Sequence, residues 1–186
     1  SAERADGVVY LDWLTWEGSP TVQFDAPAGP GVRWLQAWVQ ACSAVMPGRS
    51  DHTYRLIQNE GQGMLIQGAR EWRDYAFSAQ LTPPLARSVG IAVRVQGLRR
   101  YYALTLRSEG KAQLVRELDG THVLAETPYP WELYRTYALS LSVRGDTLVG
   151  SIDGVELFSV QDTSFLDGGA VALLIEKGRL GADAVR

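Results

Sequence analysis

Residues 129–175 read YPWELYRTYALSLSVRGDTLVGSIDGVELFSVQDTSFLDGGAVALLI. In the first run Tyr137, Leu139, Leu141 and Val143 share one face, and Ser140 and Ser142 point the other way. Gly145-Asp146 turns the chain, and Asp153-Gly154 turns it again. Period-2 alternation between turn dipeptides marks antiparallel strands with one buried face. Arg144-Gly145-Asp146 also spells an integrin-binding tripeptide, but a tight hairpin needs such residues for backbone reasons alone.

The same pattern extends outward in both directions. Toward the C-terminus, Gly168-Gly169 precedes strands expected over 171–176 and 180–185. Toward the N-terminus, alternation predicts strands over 75–81, 90–96, 101–107, 112–118 and 122–126, with Pro83-Pro84 stopping the first of them. Residues 54–58 and 64–67 read as two short strands flanking Asn59-Glu60-Gly61-Gln62-Gly63. Residues 33–46 fit either a helix or a strand, and the β context favours a strand. Earlier still, VVYLDWLTW (8–16) and residues 21–24 read as strands, and DAPAGPG (25–31) as a loop. A dozen short strands without a convincing long helix call for an all-β, antiparallel β-sandwich. The expected division is N-terminal strands over 1–58, packed on a jelly-roll sandwich over 59–186.

Composition narrows the functional classes. The 186 residues suit one domain with a real core. Eighteen basic against 21 acidic residues give a net charge of -3 with no basic stripe, which argues against nucleic acid as partner. The chain opens SAERADG, without the apolar core of a signal peptide, and reads as an excised part of a longer protein. No apolar run approaches the roughly 18 residues of a membrane span. The lone Cys42 rules out an internal disulfide and a thiolate metal cluster, and leaves the compartment open. Six tryptophans and eight tyrosines serve either a core or a ligand platform.

Catalytic patterns are missing. Only His52 and His122 are present, and there is no G-x-S-x-G, H-E-x-x-H or P-loop. Jelly-roll glucanases need alternating carboxylates on one strand, roughly 5.5 Å apart for retention. Glu71/Asp74 and Glu117/Asp119 lack that arrangement. Asp162, Asp167 and the carbonyls of 163–168 offer the oxygen ligands of a structural calcium ion, against the plainer reading of an Asp-rich turn. No other cofactor is implied.

A binding constellation remains. A sugar offers hydroxyl edges and apolar C–H faces, and a site for it wants an aromatic beside charged or amide groups. Arg94 and Tyr101 both point away from the apolar face of neighbouring strands, so pairing through the turn at 97–100 would bring them together. Glu176 ends a strand on the face opposite Ile175, Trp131 stands at a strand entrance, and Glu60 lies in a Gly-rich loop. These five form the expected ligand site. A solvated sheet face with cross-strand ion pairs is the plain alternative.

WRDYAFSAQL, GIAVRVQGLRRYYALTL, LYRTYALSLSVRGDTLVGSIDG and GGAVALLIEKGRLGADAV resemble the concanavalin A-like, laminin-G-like jelly roll. They are most similar to its levan-binding carbohydrate-binding modules and to keto-disaccharide-hydrolase-like domains. The span from VVYLDWLTWEG through RLIQNEGQGMLIQGAREWRDY resembles the C-terminal region of bacterial ADP-ribosylglycohydrolase-family proteins. The helical, magnesium-binding catalytic domain of that family has no counterpart here, so its activity does not carry over. The resemblance implies a non-catalytic accessory domain for a glycan or an ADP-ribose-like sugar, beside a parent catalytic domain. It favours the cytoplasm, and it matches Arg94 and Tyr101 to the module's Arg and first Tyr. A structural or oligomerising role and a glycoside hydrolase stay open as alternatives.

Overall fold

The computed structural model describes Val22, Phe24 and residues 33–47, 52–163 and 166–186. The strand expected over 8–16, Thr21 and Gln23 of the one expected over 21–24, and the loop at 25–31 lie outside the described residues. A short 3-10 turn, Arg33–Ala37, leads into β1 (Val39–Ala41) and β2 (Ala44–Pro47). Then come β3 (Tyr54–Gln67), β4 (Tyr75–Gly97), β5 (Arg100–Arg107), β6 (Lys111–Leu118) and β7 (Thr121–Pro128). The chain closes with β8 (Tyr137–Arg144), β9 (Thr147–Ile152), β10 (Val155–Gln161) and β11 (Ala170–Asp183).

All pairing is antiparallel, and it forms two layers that share three long strands. The first half of β4 pairs β8, from Tyr75↔Val143 to Leu81↔Tyr137. Its second half pairs β5, from Ser88↔Arg107 onward. On the other flank of β4, β11 runs alongside both halves, and β3 runs alongside β11. One layer is therefore β2-β3-β11-β4-β8-β9-β10, and the other is β1-β3-β11-β4-β5-β6-β7. This is the β-sandwich jelly roll that alternation predicted.

The shared strands bend at one level, where sequence reading expected strands to end. Pro83-Pro84 does not stop β4. The β4–β11 register slips between Arg179 and Gly181, which leaves the prolines in a bulge. A bulge is where a strand tolerates proline and bends. In β11 Gly178 stands at φ 148, and a Cβ there would lie 2.0 Å from the Leu85 carbonyl oxygen. In β3 Gly61 sits at φ 63, so 54–58 and 64–67 are halves of one strand. The expected domain boundary at 58/59 falls inside that strand. Ahead of it, Trp34 and Trp38 pack their rings 5.2 and 5.1 Å from that of Tyr54.

Between the layers the inward faces of Phe77, Leu81, Ile91, Leu104, Leu139 and Leu173 make the main core, with Leu35, Trp38 and Phe24 continuous with it. Asp153 (φ 51) and Gly154 (φ 79) form the β9–β10 hairpin that the Asp-Gly dipeptide predicts. Among the described residues no helix is long and apolar enough to cross a membrane.

Candidate functional site

Strand alternation also determines what faces outward from the β1–β7 layer. On β5 the outward residues are Tyr101, Ala103, Thr105 and Arg107; on β4, Ser88, Gly90 and Ala92; on β11, Ala172, Leu174 and Glu176. Ala92, Ala103 and Ala172, with Met64, Val115, Leu174 and Tyr101, form a second apolar cluster, separate from the main core. Small side chains at the middle of this face leave a hollow. Gly90 is required beneath it, since a Cβ there would lie 2.3 Å from the Leu104 carbonyl oxygen of the neighbouring strand.

The hollow holds a pocket of about 70 Å³ whose walls include Gln62, Tyr101, Thr105, Arg107, Gln113, Glu117 and Glu176. Gln62 Nε2 donates to the Tyr101 hydroxyl oxygen at 2.8 Å, which leaves the phenolic hydrogen as a donor. Burial pushes Tyr101 up from 10.0 to about 12; the Gln62 hydrogen bond opposes this and the Glu117 charge adds to it. The phenol therefore stays protonated at neutral pH. Arg107 Nη1 lies 3.1 Å from Glu176 Oε2, and Arg87 Nε 3.5 Å from Glu176 Oε1. Thr121 donates its hydroxyl to Glu117 Oε2 at 2.6 Å. The two carboxylates of the pocket thus already hold partners: two guanidiniums on one and a hydroxyl on the other.

Of the five expected ligand residues, the structure brings together Tyr101 and Glu176. Arg94 is corrected outright. It is 1 % exposed, and its side chain leaves the sheet face altogether. The β4–β5 register is irregular between Val93 and Gly97, and Arg94 adopts φ 50 within that irregularity. Its guanidinium donates to the carbonyls of Leu166 at 2.6 Å and Arg73 at 3.2 and 3.3 Å, and reaches Asp74 at 3.4 Å. Trp131 is half-buried and does not wall the pocket. Its indole N–H donates to the Arg107 carbonyl at 2.6 Å, so it holds the strand end that carries Arg107. Glu60 is exposed beside the β3 bend and lies outside the pocket walls.

Gln62, Arg107, Gln113 and Glu117 were not among the expected ligand residues; Glu117 entered only as a carboxylate cluster with Asp119. Arg107 was legible, because it shares Tyr101's phase on β5. Glu117 faces Tyr101 directly across β5–β6.

Asp162, one of the expected calcium ligands, already holds donors. Arg116 Nη1 lies 2.6 and 2.7 Å from the two Asp162 oxygens, and the Tyr102 hydroxyl donates to Oδ2 at 2.8 Å. Donors hold the positions a cation would take. Among the described residues no group of three or more His, Cys, Asp or Glu side chains is placed to hold a metal ion.

Among the described residues, the exposed apolar side chains Leu133 and Tyr134 adjoin the bend near Leu85, the Tyr134 N–H donating to the Pro83 carbonyl at 2.9 Å, and others stand apart. Val39 on β1 and Val123 on β7 stand at opposite edges of one layer, and Leu85, Leu98 and Val155 lie at the bend and at two hairpin turns.

The sequence matches no protein-family profile and no curated protein. Solved structures do resemble it in fold. The carbohydrate-binding module CBM66 from Bacillus subtilis aligns with a TM-score of 0.72 at 14% identity, over 80% of this chain and 93% of its own. A Bacillus subtilis protein of unknown function with a galectin-like fold aligns at 0.59 and 13% identity, over 83% and 90%. Domain 4 of AbnA, an extracellular arabinanase from Geobacillus stearothermophilus solved with arabinotriose, aligns at 0.51 and 17% identity, over 75% and 72%. At these identities the likeness is one of fold.

Proposed function

We propose that this chain is a non-catalytic sugar-binding domain and that the pocket on the outer face of the β1–β7 layer is its site. The observation that carries the reading is the pocket's composition. An apolar floor of Ala103, Val115 and Leu174 lies among a phenol, two amides, a guanidinium and two carboxylates. That pairing of an apolar surface with convergent polar groups is what a sugar's C–H faces and hydroxyl edges require. Binding involves hydrogen bonding and packing, with no covalent step. The fold neighbours described as a carbohydrate-binding module and as an arabinotriose complex support the reading.

The accessory role beside a catalytic domain, and an ADP-ribose-like sugar as ligand, rest on the sequence resemblance alone. One screen addresses all of this: a glycan array with added nucleotide sugars, probed with wild type, Arg107→Ala and Tyr101→Phe. The expected result is binding to a defined sugar class that both variants weaken at least tenfold, the loss of one charge-assisted or buried hydrogen bond. Binding that neither variant changes would remove the pocket from the proposal. An absence of binding to every probe would favour the packing role.

A further inference from the structure

We infer that the pocket selects an uncharged sugar unit over acidic ones, and that Glu117 sets this preference; the inference rests on the sugar-binding reading above. The charged side chains lining the pocket are Arg107, Glu117 and Glu176, one positive and two negative, for a net of -1. They are not equivalent. Glu176 is neutralised from two sides, by Arg107 at 3.1 Å and Arg87 at 3.5 Å. Arg107 is itself shared, because its Nε also lies 3.6 Å from Glu109 Oε2. The pocket's guanidinium is therefore committed to two carboxylates before a ligand arrives.

Glu117 has no such counterion. Among the described residues its hydrogen-bond partner is the Thr121 hydroxyl at 2.6 Å. Gln62 and Gln113, which line the same pocket, are neutral. Lys111, which shares the outward phase of Glu117 on β6, is held by Glu126 at 2.8 Å. The Glu117 carboxylate keeps lone pairs open toward the pocket, and sugar hydroxyls are donors that fill them. A uronate, sialate, sugar phosphate or pyrophosphate would bring a second negative charge against it in a partly desolvated space. Such an anion would also have to draw Arg107 from Glu176. An ADP-ribose-like ligand, whose pyrophosphate is anionic, belongs to the disfavoured class.

The test is titration calorimetry with matched probes: a neutral sugar selected by the array, its uronate counterpart, and ADP-ribose, each against wild type and Glu117→Gln. Wild type is expected to bind the neutral probe at least tenfold more tightly than its uronate. The gap should shrink with added salt, as an exposed charge contact does. Glu117→Gln is expected to narrow the gap about tenfold, mainly by gaining affinity for the acidic probe, which is the size of one like-charge contact near a protein surface. Uronate bound as tightly as the neutral sugar by wild type would overturn the inference and leave the sugar-binding reading intact. So would a ratio that Glu117→Gln leaves unchanged. No binding of any probe by wild type would overturn both. The wild-type ratio needs no variant, so it decides the matter whatever the substitution does to folding.

Discussion

Two arginines on neighbouring strands of one layer have opposite surroundings. Arg94 is buried against the carbonyls of Arg73 and Leu166 and the Asp74 carboxylate. Arg107 stands partly open in a pocket, paired with the carboxylates of Glu176 and Glu109. Both look alike in sequence: each follows a mostly apolar run, Ile91-Ala92-Val93 and Ala103-Leu104-Thr105-Leu106. The difference lies in the backbone. Regular pairing at Ser88↔Arg107 keeps Arg107 on the outer face, whereas the irregularity after Val93 rotates Arg94 into the end of the sandwich. An arginine saturated by main-chain carbonyls holds a loop in place. An arginine shared between partly exposed carboxylates can exchange one of them for a ligand hydroxyl.

The sharpest way to break this comparison is Arg94→Ala. It leaves the Arg73 and Leu166 carbonyls and a large void behind it, and about 3–5 kcal/mol of stability should be lost in urea denaturation. Arg94→Lys should recover little, because an ammonium cannot reproduce the forked geometry. A variant that folds normally but loses sugar binding would return Arg94 to the site.

An alkaline titration compares the two ends next. Tyr75, whose hydroxyl accepts the Arg94 backbone N–H at 2.7 Å, and Tyr101 in the pocket are both raised from 10.0 to about 12, chiefly by burial. The folded state thus favours the neutral phenols. The stability they contribute is complete below pH 10 and is lost as pH rises from 10 toward 12. Phenolate absorbance should show both ionising late, along with Tyr102 and Tyr129, which burial also raises, and a saturating sugar should delay Tyr101 while leaving Tyr75 unchanged. Ionisation of Tyr101 near pH 10 would mean that the pocket is open and wet.

The smallest stability effect belongs to Arg107→Ala. Its ion pair with Glu176 is partly exposed, so thermal unfolding should register a loss of no more than about 1 kcal/mol. Binding, by contrast, should fall at least tenfold. A loss of several kcal/mol would make Arg107 a structural residue like Arg94.

Most of the fold was legible in the sequence because alternation is a local property. Residues 137–143, 101–107 and 112–118 were placed within a residue of β8, β5 and β6. Where reading failed, it failed on breakers. Pro83-Pro84 and Gly61 look like strand ends, but neighbouring strands hold the chain on both sides and convert each break into a bend. For residues 33–46 the answer was mixed, a 3-10 turn followed by two short strands. The site was half legible. Tyr101 and Glu176 follow from phase alone. Gln62 meets Tyr101 only because β3, with β11 and β4 between it and β5, lies on a curved layer.

By itself, then, the sequence determined the class of fold, the hairpins at Gly145-Asp146 and Asp153-Gly154, and which residues of each regular strand face outward. These follow from φ/ψ preferences and a two-residue period, which act within a few residues. The tertiary structure alone decided which outward residues share a pocket, and that Arg94 is not among them. Those outcomes depend on strand order and on a single slip of register, which no local pattern carries.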